Sequence, residues 1–414
     1  MNERRTPGGD LTDQFNGPLS GIRILDLTTV IMGPFGTRIL ADMGADVIKI
    51  EGPEGDSFRT YPPYVSKGMG GSILNLHRNK RSIFLNLKGP KGKLALEHLI
   101  AASDVLIHNL RPGAAQRLGL DWASIGKIKP AMILCAARGF SSRGPYGHKA
   151  AYDDLMQASS GFAALFEKLD GEPRYAPTSW CDKVAGQSIA YAVLGALVHR
   201  LRTGTGQAVE VPMFEVCVDF MLVEHFGGMA FEPAKGPPGF KRQLARGRKP
   251  YRTADGWACI LPYSDKNWFD FFGFVGRIEH VRDARFATLE QRVANIEELY
   301  KIVEEEARRF STADWMRFCD EAGIPAIPVL AFEDIPTNEH VVATHTFKTV
   351  KHPTEGFYKH VQPPVQFAGS ADGPHRFAPR AGENTQEVLE QAGVPADLIQ
   401  SLMSEIPAEL RRSP

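Results

Sequence analysis

The residue with the clearest chemical potential is Asp182, which stands at the start of a predicted apolar helix. Apolar residues recur at three- and four-residue steps from about Asp182 to Arg202, with only small residues between them, which predicts a well-buried helix. This helix follows Pro177, Thr178 and Ser179, so the carboxylate lies beside backbone N–H groups that lack partners within the helix. Two roles are open: Asp182 caps the helix, together with Thr178 or Ser179, or it acts as a nucleophile.

Cys181 directly precedes Asp182 and is a second candidate nucleophile, because a thiolate at a helix N-terminus is acidified. Neighbours on a helix point about 100 degrees apart, and no histidine follows at a spacing that supports a Cys/His pair. We therefore expect Cys181 to pack in the core. The five cysteines form no CxxC motif and no Cys/His pair at metal-ligand spacing, which indicates free thiols in a reducing compartment and no metal site.

Composition excludes several classes of protein. A chain of 414 residues with 43% hydrophobic content can bury a full core and is longer than one domain usually grows. Lys plus Arg equals Asp plus Glu at 48 each, so global charge gives no case for nucleic acid or an anionic membrane surface. Residues 1–18 lack an apolar signal region, and no run of about 18 apolar residues is apparent. We expect a cytoplasmic protein with a flexible N-terminus over residues 1–18.

The elements that must position Asp182 alternate between strands and helices. Near-continuous apolar strands are predicted at 20–26, 45–51, 82–87, 104–110 and 131–140, with a further alternating strand at 207–213. Helices at 33–44 and 91–103 separate some of them, which predicts an α/β domain with a parallel sheet covered on both faces. The first β–α turn, TTVIMGPFGTR, lacks G-x-G-x-x-G, so a nicotinamide or flavin cofactor is disfavoured. No P-loop motif occurs.

A second unit is predicted from residue 225 onward. Residues 225–250 are rich in Gly, Pro and basic side chains and read as a surface loop. A hairpin with an Asp-Gly turn at 255–256, an aromatic helix, two amphipathic helices and a strand follow. We therefore predict a large domain over 19–224, a small domain over 225–335, and a returning segment over 336–414 that ends in two helices packed on the large domain.

Several sequence blocks, taken in their order and spacing, resemble the class III CoA-transferases, the L-carnitine, formyl-CoA and bile-acid-inducible F type family. The blocks are GPFGTRILADMGADVIKIEGPEGD at 33–56, NKRSIFLNLK at 79–88, DVLIHNLRPGAAQRLGLD at 104–121, YDDLMQASSG at 152–161, the Asp182 helix, TGTGQ at 203–207 and APRAGENTQEVL near the C-terminus. The resemblance implies a Rossmann-like large domain, a smaller α+β domain and an interlocked homodimer. It also implies that coenzyme A is a substrate, that no cofactor is tightly bound, and that Asp182 is the nucleophile.

The resemblance further implies a CoA site that surrounds phosphates with cations and backbone N–H groups. The residues that match the family's CoA contacts are Asn79, Lys80, Asn109, Leu110, Arg117 and Arg138, with Arg59 as an additional candidate. Taken without the resemblance, each of these cations reads as a solvated surface charge. The chain departs from the formyl-CoA member at Ile31, where that protein has glutamine, and at Gly52, where it has arginine. The glycines of the family's lid loop, here among 227, 228, 236 and 239, do not align clearly.

The implied reaction moves CoA from an acyl-CoA donor to a free carboxylic acid through an aspartyl mixed anhydride and an aspartyl-CoA thioester. We expect the Asp182 carboxylate to be ionised at neutral pH without a partner base. One alternative is an α-methylacyl-CoA racemase, but its catalytic histidine is replaced here by Tyr152, and His148 lies four residues too early. A second alternative is a CoA-binding protein without turnover. The acid pair is not identified: basic residues at 241–249 fit a dicarboxylate, although a solvated loop is the preferred interpretation.

Overall fold

Six parallel strands form the central sheet. The computed structural model describes residues 17–369 and 376–406, and the predicted flexible N-terminus lies outside them as far as residue 16. The strands are β1 (Arg23–Leu27), β2 (Asp46–Glu51), β3 (Lys80–Phe84), β4 (Val105–His108), β5 (Ile133–Arg138) and β6 (Gln207–Pro212). Their order is β3-β2-β1-β4-β5-β6, and every neighbouring pair is parallel. The predicted parallel sheet is therefore confirmed, although its third strand begins at Lys80 and not at Ser82.

Helices cover both faces of this sheet because successive side chains on a strand point to opposite sides. Ile24 of β1 belongs to one core cluster, which includes Ala185 and Val193, and Leu25 belongs to the other, which includes Leu96 and Leu398. The helices up to residue 225 are α1 (Met32–Asp42), α2 (Gly71–Leu76), α3 (Pro90–Ala101), α4 (Pro112–Arg117), α5 (Trp122–Ile128), α6 (Asp153–Ser159), α7 (Phe162–Asp170), α8 (Trp180–Thr203) and α9 (Met213–His225).

Helix α8 packs against α1 at a point where both helices carry glycine. A Cβ on Gly186 of α8 would lie 2.7 Å from the carbonyl oxygen of Met32 and 2.9 Å from Cδ1 of Phe35. A Cβ on Gly36 would lie 2.7 Å from the carbonyl oxygen of Gly186. The two helix backbones approach this closely only because neither position has a side chain. By length and composition α8 could also cross a membrane, but ten of its 24 residues are buried inside the protein.

The chain divides into two compact units. The first consists of Met1–Ser160, Tyr175–Phe220 and Glu339–Pro414, and the second of Gly161–Arg174 and Met221–Asn338. Helix α7 therefore groups with the second unit, whereas our sequence-based boundary for the small domain lies at residue 225.

The second unit has its own core and a three-stranded antiparallel sheet. Its elements from residue 251 are β7 (Tyr251–Arg252), β8 (Trp257–Ile260), α10 (Asp265–Val275), α11 (Leu289–Ala294), α12 (Ile296–Ala307), α13 (Thr312–Ala322) and β9 (Ala326–Pro328). Trp315 is fully buried at the centre, where its Nε1–H donates to the carbonyl oxygen of Ala307 at 3.0 Å. Strands β7 and β8 pair through Arg252 and Trp257 and confirm the hairpin predicted around the Asp-Gly pair.

The C-terminal segment returns to the first unit. It contains α14 (Glu339–Ala343), a hairpin of β10 (Phe347–His352) and β11 (Gly356–Val361), α15 (Thr385–Gln391) and α16 (Ala396–Glu405), so the two closing helices are confirmed. The turn before α15 covers the outer edge of β3. The N–H of Ser82 donates to Oδ1 of Asn384 at 3.0 Å, the N–H of Asn384 donates to the carbonyl oxygen of Ser82 at 2.8 Å, and the N–H of Phe84 donates to Oγ1 of Thr385 at 2.9 Å.

Candidate active site

The strand order creates a crevice at one edge of the sheet. Strands β1 and β4 are neighbours, and the connections that leave them run in opposite directions along the sheet. In open parallel sheets, ligands bind at such a switch point, at the edge where the strands end. We call this the carboxyl edge and the opposite one the amino edge. Residues 28–31 follow β1 here, and Asn109 and Leu110 follow β4.

The loop after β1 is held in a strained conformation. Val30 has φ of 71°, in the left-handed region that a β-branched residue rarely adopts. Its N–H donates to Asp56 at 3.1 Å. Asn109 forms two hydrogen bonds with Thr29, the residue before Val30. Its Oδ1 accepts from the N–H of Thr29 at 3.2 Å, and its Nδ2 donates to the carbonyl oxygen of Thr29 at 3.1 Å. Asn109 therefore ties the two loops of the crevice together.

Two buried ion pairs stabilise this loop. Lys80 Nζ lies 3.1 Å from Oδ2 of Asp26, and Lys49 Nζ lies 2.9 Å from Oδ2 of Asp56; all four side chains are fully or almost fully buried. Burial alone would raise the pKa of Asp26, but Lys80 and Lys49 hold it at about 2. Burial lowers the pKa of Lys80 to about 8, against the opposing effect of Asp26.

Helix α8 begins at the carboxyl edge. Near its end, Arg200 pairs with Asp104, the residue before β4, at 3.0 Å. Near its start, Gly186 contacts Met32, the first residue of the helix that follows β1. The helix therefore runs from the carboxyl edge to the amino edge, and its first turn, which carries Asp182, lies at the same edge as the crevice.

The N-terminus of α8 is capped by a carboxylate from α6. The N–H of Asp182 donates to Oδ1 of Asp153 at 2.9 Å, and Oδ2 of Asp153 accepts from Nε2 of Gln157 at 2.6 Å. The N–H of Ala176 donates to Oε1 of Gln157 at 2.8 Å, so Gln157 also holds the approach to the helix. The flanking residue Ser179 makes no capping hydrogen bond through its side chain. The capping interpretation of Asp182 is thus wrong, because Asp153 supplies the cap.

Asp182 is left as a buried carboxylate without an internal partner. Only 9% of the residue is exposed, and its carboxylate accepts no hydrogen bond from the parts of the chain that the structure describes. Burial, together with the charges of Asp153 and Asp154, raises its pKa to about 7, while Lys183 acts in the opposite direction. A perturbed pKa of this kind is typical of functional sites. It also corrects our expectation of a carboxylate that is fully ionised at neutral pH.

Cys181 points away from this chemistry. It is fully buried in the core cluster behind α8. A hydrogen bond with Cys217 and burial raise the pKa of its thiol far above the ordinary value. A thiol in this state is a poor nucleophile, so Cys181 has the packing role expected from the sequence.

Four of the predicted CoA residues lie at or next to the carboxyl edge. Asn109 and Leu110 form the turn after β4, and this turn is fixed because the N–H of Leu110 donates to Nδ1 of His108 at 3.2 Å. Burial and the nearby charge of Arg138 lower the pKa of His108 to about 4, which keeps that nitrogen free to accept. Arg138 ends β5, where its Nε pairs with Glu210 at 3.1 Å and its Nη1 donates to the carbonyl oxygen of Leu110 at 3.5 Å. Arg117 is exposed in α4, the helix that follows.

The other three predicted CoA residues are buried and held by internal partners. Asn79 precedes β3 at the amino edge, and its Nδ2 donates to Asp42 at 2.9 Å. Lys80 is fully buried in the ion pair described above. Arg59 is buried and forms two hydrogen bonds to Glu51, at 2.7 and 2.8 Å. None of these three side chains is placed by the structure to meet a phosphate in the crevice.

Sequence reasoning missed two residues that hold the start of α8 and one exposed cation at the same edge of the sheet. Asp153 and Gln157 were read only as part of the YDDLMQASSG block, and no local signal shows that they cap α8. Lys88 is exposed in the loop after β3, at the carboxyl edge. The sequence could have indicated Lys88, because it follows a strand of the parallel sheet just as Asn109 does.

The structure also bears on Tyr152 and on metal binding. Tyr152, at the position of the racemase histidine, is 65% exposed. The charged groups that shift the pKa of Asp182 are Asp153, Asp154 and Lys183, and no described histidine is among them. The described residues also contain no group of three His, Cys, Asp or Glu side chains that could hold a metal ion.

The chain is similar to known proteins over most of its length. The family model described as CoA-transferase family III matches residues 19–385. A succinate–glutarate CoA-transferase from Agrobacterium fabrum is 30% identical over 384 residues, which cover 90% of this chain and 95% of that protein. An acetyl-CoA:oxalate CoA-transferase from Acetobacter aceti is 34% identical over 317 residues, or 76% of this chain and 81% of that protein. A crystal structure of a CAIB/BAIF family protein from Brucella suis has a TM-score of 0.77 at 27% identity and covers 91% of this chain and 100% of its own.

Proposed function

Because this chain belongs to CoA-transferase family III, we propose that it transfers CoA from an acyl-CoA to a free carboxylic acid with Asp182 as the nucleophile. One observation carries the assignment of Asp182: a buried carboxylate without a hydrogen-bond partner stands at the end of the sheet where ligands bind. A structural carboxylate would be paired, because a buried charge without a partner is costly.

The proposed reaction proceeds in four steps. The Asp182 carboxylate attacks the thioester carbon of the donor, and CoA leaves as a thiolate, which gives a mixed anhydride. The thiolate then attacks the aspartyl carbon, releases the donor acid and forms an aspartyl-CoA thioester. The acceptor carboxylate attacks this thioester and forms a second anhydride and CoA thiolate. Attack of the thiolate on the acceptor carbon yields the new acyl-CoA and regenerates Asp182.

The surroundings of Asp182 suit this chemistry. A carboxylate with a raised pKa is a stronger nucleophile than an ordinary one, and a pKa of about 7 leaves a large ionised fraction at neutral pH. Asp153 occupies the N–H of Asp182, so that N–H does not serve as an oxyanion donor here. Asp153 fixes the first turn of α8 in place, and its negative charge raises the basicity of the nucleophile.

We propose that the CoA phosphates bind along the carboxyl edge. Arg117 and Lys88 provide exposed cations there, Arg138 adds a cation that it shares with Glu210, and Asn109 and Leu110 shape the turn after β4. Arginine and lysine are the side chains that bind phosphate most strongly. This set replaces the one drawn from sequence by adding Lys88 and by leaving Asn79, Lys80 and Arg59 in their structural roles.

We propose that at least one of the two exchanged acids is a small dicarboxylic acid. The relative from Agrobacterium fabrum is named for succinate and glutarate, and that from Acetobacter aceti for acetyl-CoA and oxalate, so each name contains at least one acid with two carboxylates. The test is a panel assay in which succinyl-CoA is offered with glutarate, oxalate, benzoate or carnitine and the acyl-CoA products are separated by mass. New dicarboxylyl-CoA is the expected product. Loss of succinyl-CoA only by hydrolysis in every reaction would contradict the proposal.

We also propose that the protein is a cytoplasmic, interlocked homodimer. Helix α8 exposes three apolar side chains at helical spacing: Tyr191 is 64% exposed, Val198 49% and Leu201 80%. A row of exposed apolar side chains on a core helix is suited to burial against another subunit. The five free cysteines fit a reducing compartment. The mass of the protein in solution tests the dimer, and a monomer would contradict it.

The rate of transfer is expected to rise with pH around an apparent pKa of about 7, because only ionised Asp182 attacks. Asp153→Asn keeps an oxygen acceptor for the N–H of Asp182 but removes a negative charge, so it should move the profile of kcat/KM to lower pH. Lys183→Gln removes the charge that lowers the pKa of Asp182 and should move the profile to higher pH. Rates measured from pH 5 to pH 9 check both. Shifts of the same sign in the two variants would contradict the assignment.

A further inference from the structure

The second unit contains a cavity that the transfer reaction does not use. Its volume is about 360 Å³, within the range of small-molecule sites. It is lined by residues of α10, of the segment after it and of α11, among them Trp268, Phe269, Phe272, Phe286 and Arg292. All of these belong to the second unit, whereas Asp182 and the carboxyl edge belong to the first.

The walls of this cavity are aromatic. The ring of Phe272 lies 5.7 Å from that of Trp268, 5.2 Å from that of His280 and 6.3 Å from that of Phe286, with the last pair stacked at 27°. Phe269, also in the lining, is 54% exposed. Aromatic walls favour a flat ring, which packs against them face to face or edge to face.

One buried cation lines the same cavity with an unused donor. Arg292 is only 4% exposed. Its Nη1 donates to the carbonyl oxygen of Phe286 at 2.9 Å, and its Nη2 contacts one oxygen of Asp265. Its Nε is buried and finds no acceptor in residues 17–369 and 376–406. A buried donor without an acceptor is unfavourable and is a mark of a missing partner.

The Nε–H and Nη2–H groups of a guanidinium lie along one edge and match the two oxygens of a carboxylate. Asp265 meets this edge through Nη2 alone, and its side chain is 81% exposed, so water can replace its contact at little cost. The remaining charged group of the lining, Lys266, is directed to Asp270 at 2.6 Å. A carboxylate that displaces Asp265 can therefore take this edge of Arg292 and bring its own ring into the cavity.

We propose that this cavity is a second binding site, for a planar aromatic carboxylate, separate from the site of CoA transfer. The ring packs inside the cavity against Phe269 and the wall formed by Trp268, Phe272 and Phe286, and the carboxylate takes Nε and Nη2 of Arg292 in place of Asp265. The proposal does not depend on the proposed transfer reaction, since it concerns residues of the second unit alone.

The test measures binding of 2-naphthoate to the intact protein by calorimetry, with uncharged 2-naphthamide for comparison. The unmodified protein should bind 2-naphthoate with a Kd below about 1 mM and the amide at least about fivefold more weakly. Asp265→Asn, which removes the competing carboxylate, should tighten binding of the naphthoate about three- to tenfold. Phe269→Ala should weaken it about fivefold, and Arg292→Lys by at least tenfold, because lysine cannot form the paired contact.

Controls separate this site from general charge effects and from misfolding. Glu305→Gln and Lys301→Arg alter an exposed ion pair of the same unit that lies on α12, outside the lining, and should leave binding unchanged. Asp265 and Phe269 are exposed, so their variants should fold even where Arg292→Lys does not, and they should retain the transfer rate. Equal affinity for the acid and the amide, no change in Asp265→Asn, or no binding to the unmodified protein would each overturn the proposal.

Discussion

Asp182→Asn is expected to lower the rate of CoA transfer by at least about a thousandfold, because the amide cannot form the mixed anhydride. The measurement is the initial rate of acyl-CoA exchange at pH 8, where the carboxylate of the unmodified enzyme is mainly ionised. Acyl-CoA mixed with hydroxylamine should modify Asp182 of the unmodified protein and leave the asparagine variant unmodified, as seen by peptide mass. A native rate in Asp182→Asn would exclude this residue as the nucleophile.

Two controls show that such a loss is chemical. Asp154→Asn removes an exposed carboxylate at the second residue of α6 and should change the rate only a few-fold. The stability of Asp182→Asn provides the second control. Because the folded pKa of Asp182 is about 7, above its ordinary value of 3.8, this group favours the folded state at pH 4 and loses that contribution as pH rises to 7. Asparagine has no such loss, so the variant should unfold at a higher temperature than the unmodified protein at pH 8.

Gly186→Ala is expected to lower both the stability and the activity of the protein. The new Cβ would lie 2.7 Å from the carbonyl oxygen of Met32 and 2.9 Å from Cδ1 of Phe35, and backbone cannot yield as a side chain does. Overpacking of this kind costs about 1–3 kcal/mol of unfolding free energy. Displacement of α8 also moves Asp182, one turn away, and misplacement of a reacting group by about 1 Å lowers kcat about a hundredfold. Denaturant unfolding and steady-state rates measure the two effects.

Helix α10 of the second unit offers a matched control. Gly273 is exposed, and a Cβ there would have no atom within 4 Å. Gly273→Ala should therefore raise the free energy of unfolding by about 0.5–1 kcal/mol, through helix propensity alone, and leave kcat unchanged. If Gly186→Ala proved as stable and as active as Gly273→Ala, the close approach of α1 and α8 would not be needed for catalysis.

The fold could be predicted from sequence because its signals are local and repeated. The apolar strands that begin at Arg23, Asp46 and Val105 are buried on both faces, and such strands read as short continuous apolar runs. The hairpin at Asp255 and Gly256 and the two C-terminal helices have equally local signatures. The spacing of apolar residues could not show the order of the strands in the sheet. That order depends on contacts between residues far apart in the chain, such as the pairing of β1 with both β2 and β4.

The site was predicted only in part, because a charged residue in a sequence does not reveal whether it is buried. Lys80 and Arg59 read as surface cations, yet each is matched by a carboxylate inside the first unit, from Asp26 and Glu51. Asp182 was found through resemblance, but its raised pKa depends on burial and on Asp153, which lies 29 residues earlier in the chain. Neither pairing has a local pattern that sequence reasoning could detect.

The cover over β3 has a consequence for synthesis on the ribosome. Ser82 and Phe84 emerge about 300 residues before Asn384 and Thr385, which complete their hydrogen bonds. Until the last part of the chain is translated, this edge of the sheet has unpaired backbone groups, and such exposed edges can pair with other chains. If translation stalls before residue 384, the first 220 residues already contain the six strands of the main sheet. The outer edge of β3 is still unpaired in such a polypeptide and is prone to aggregation.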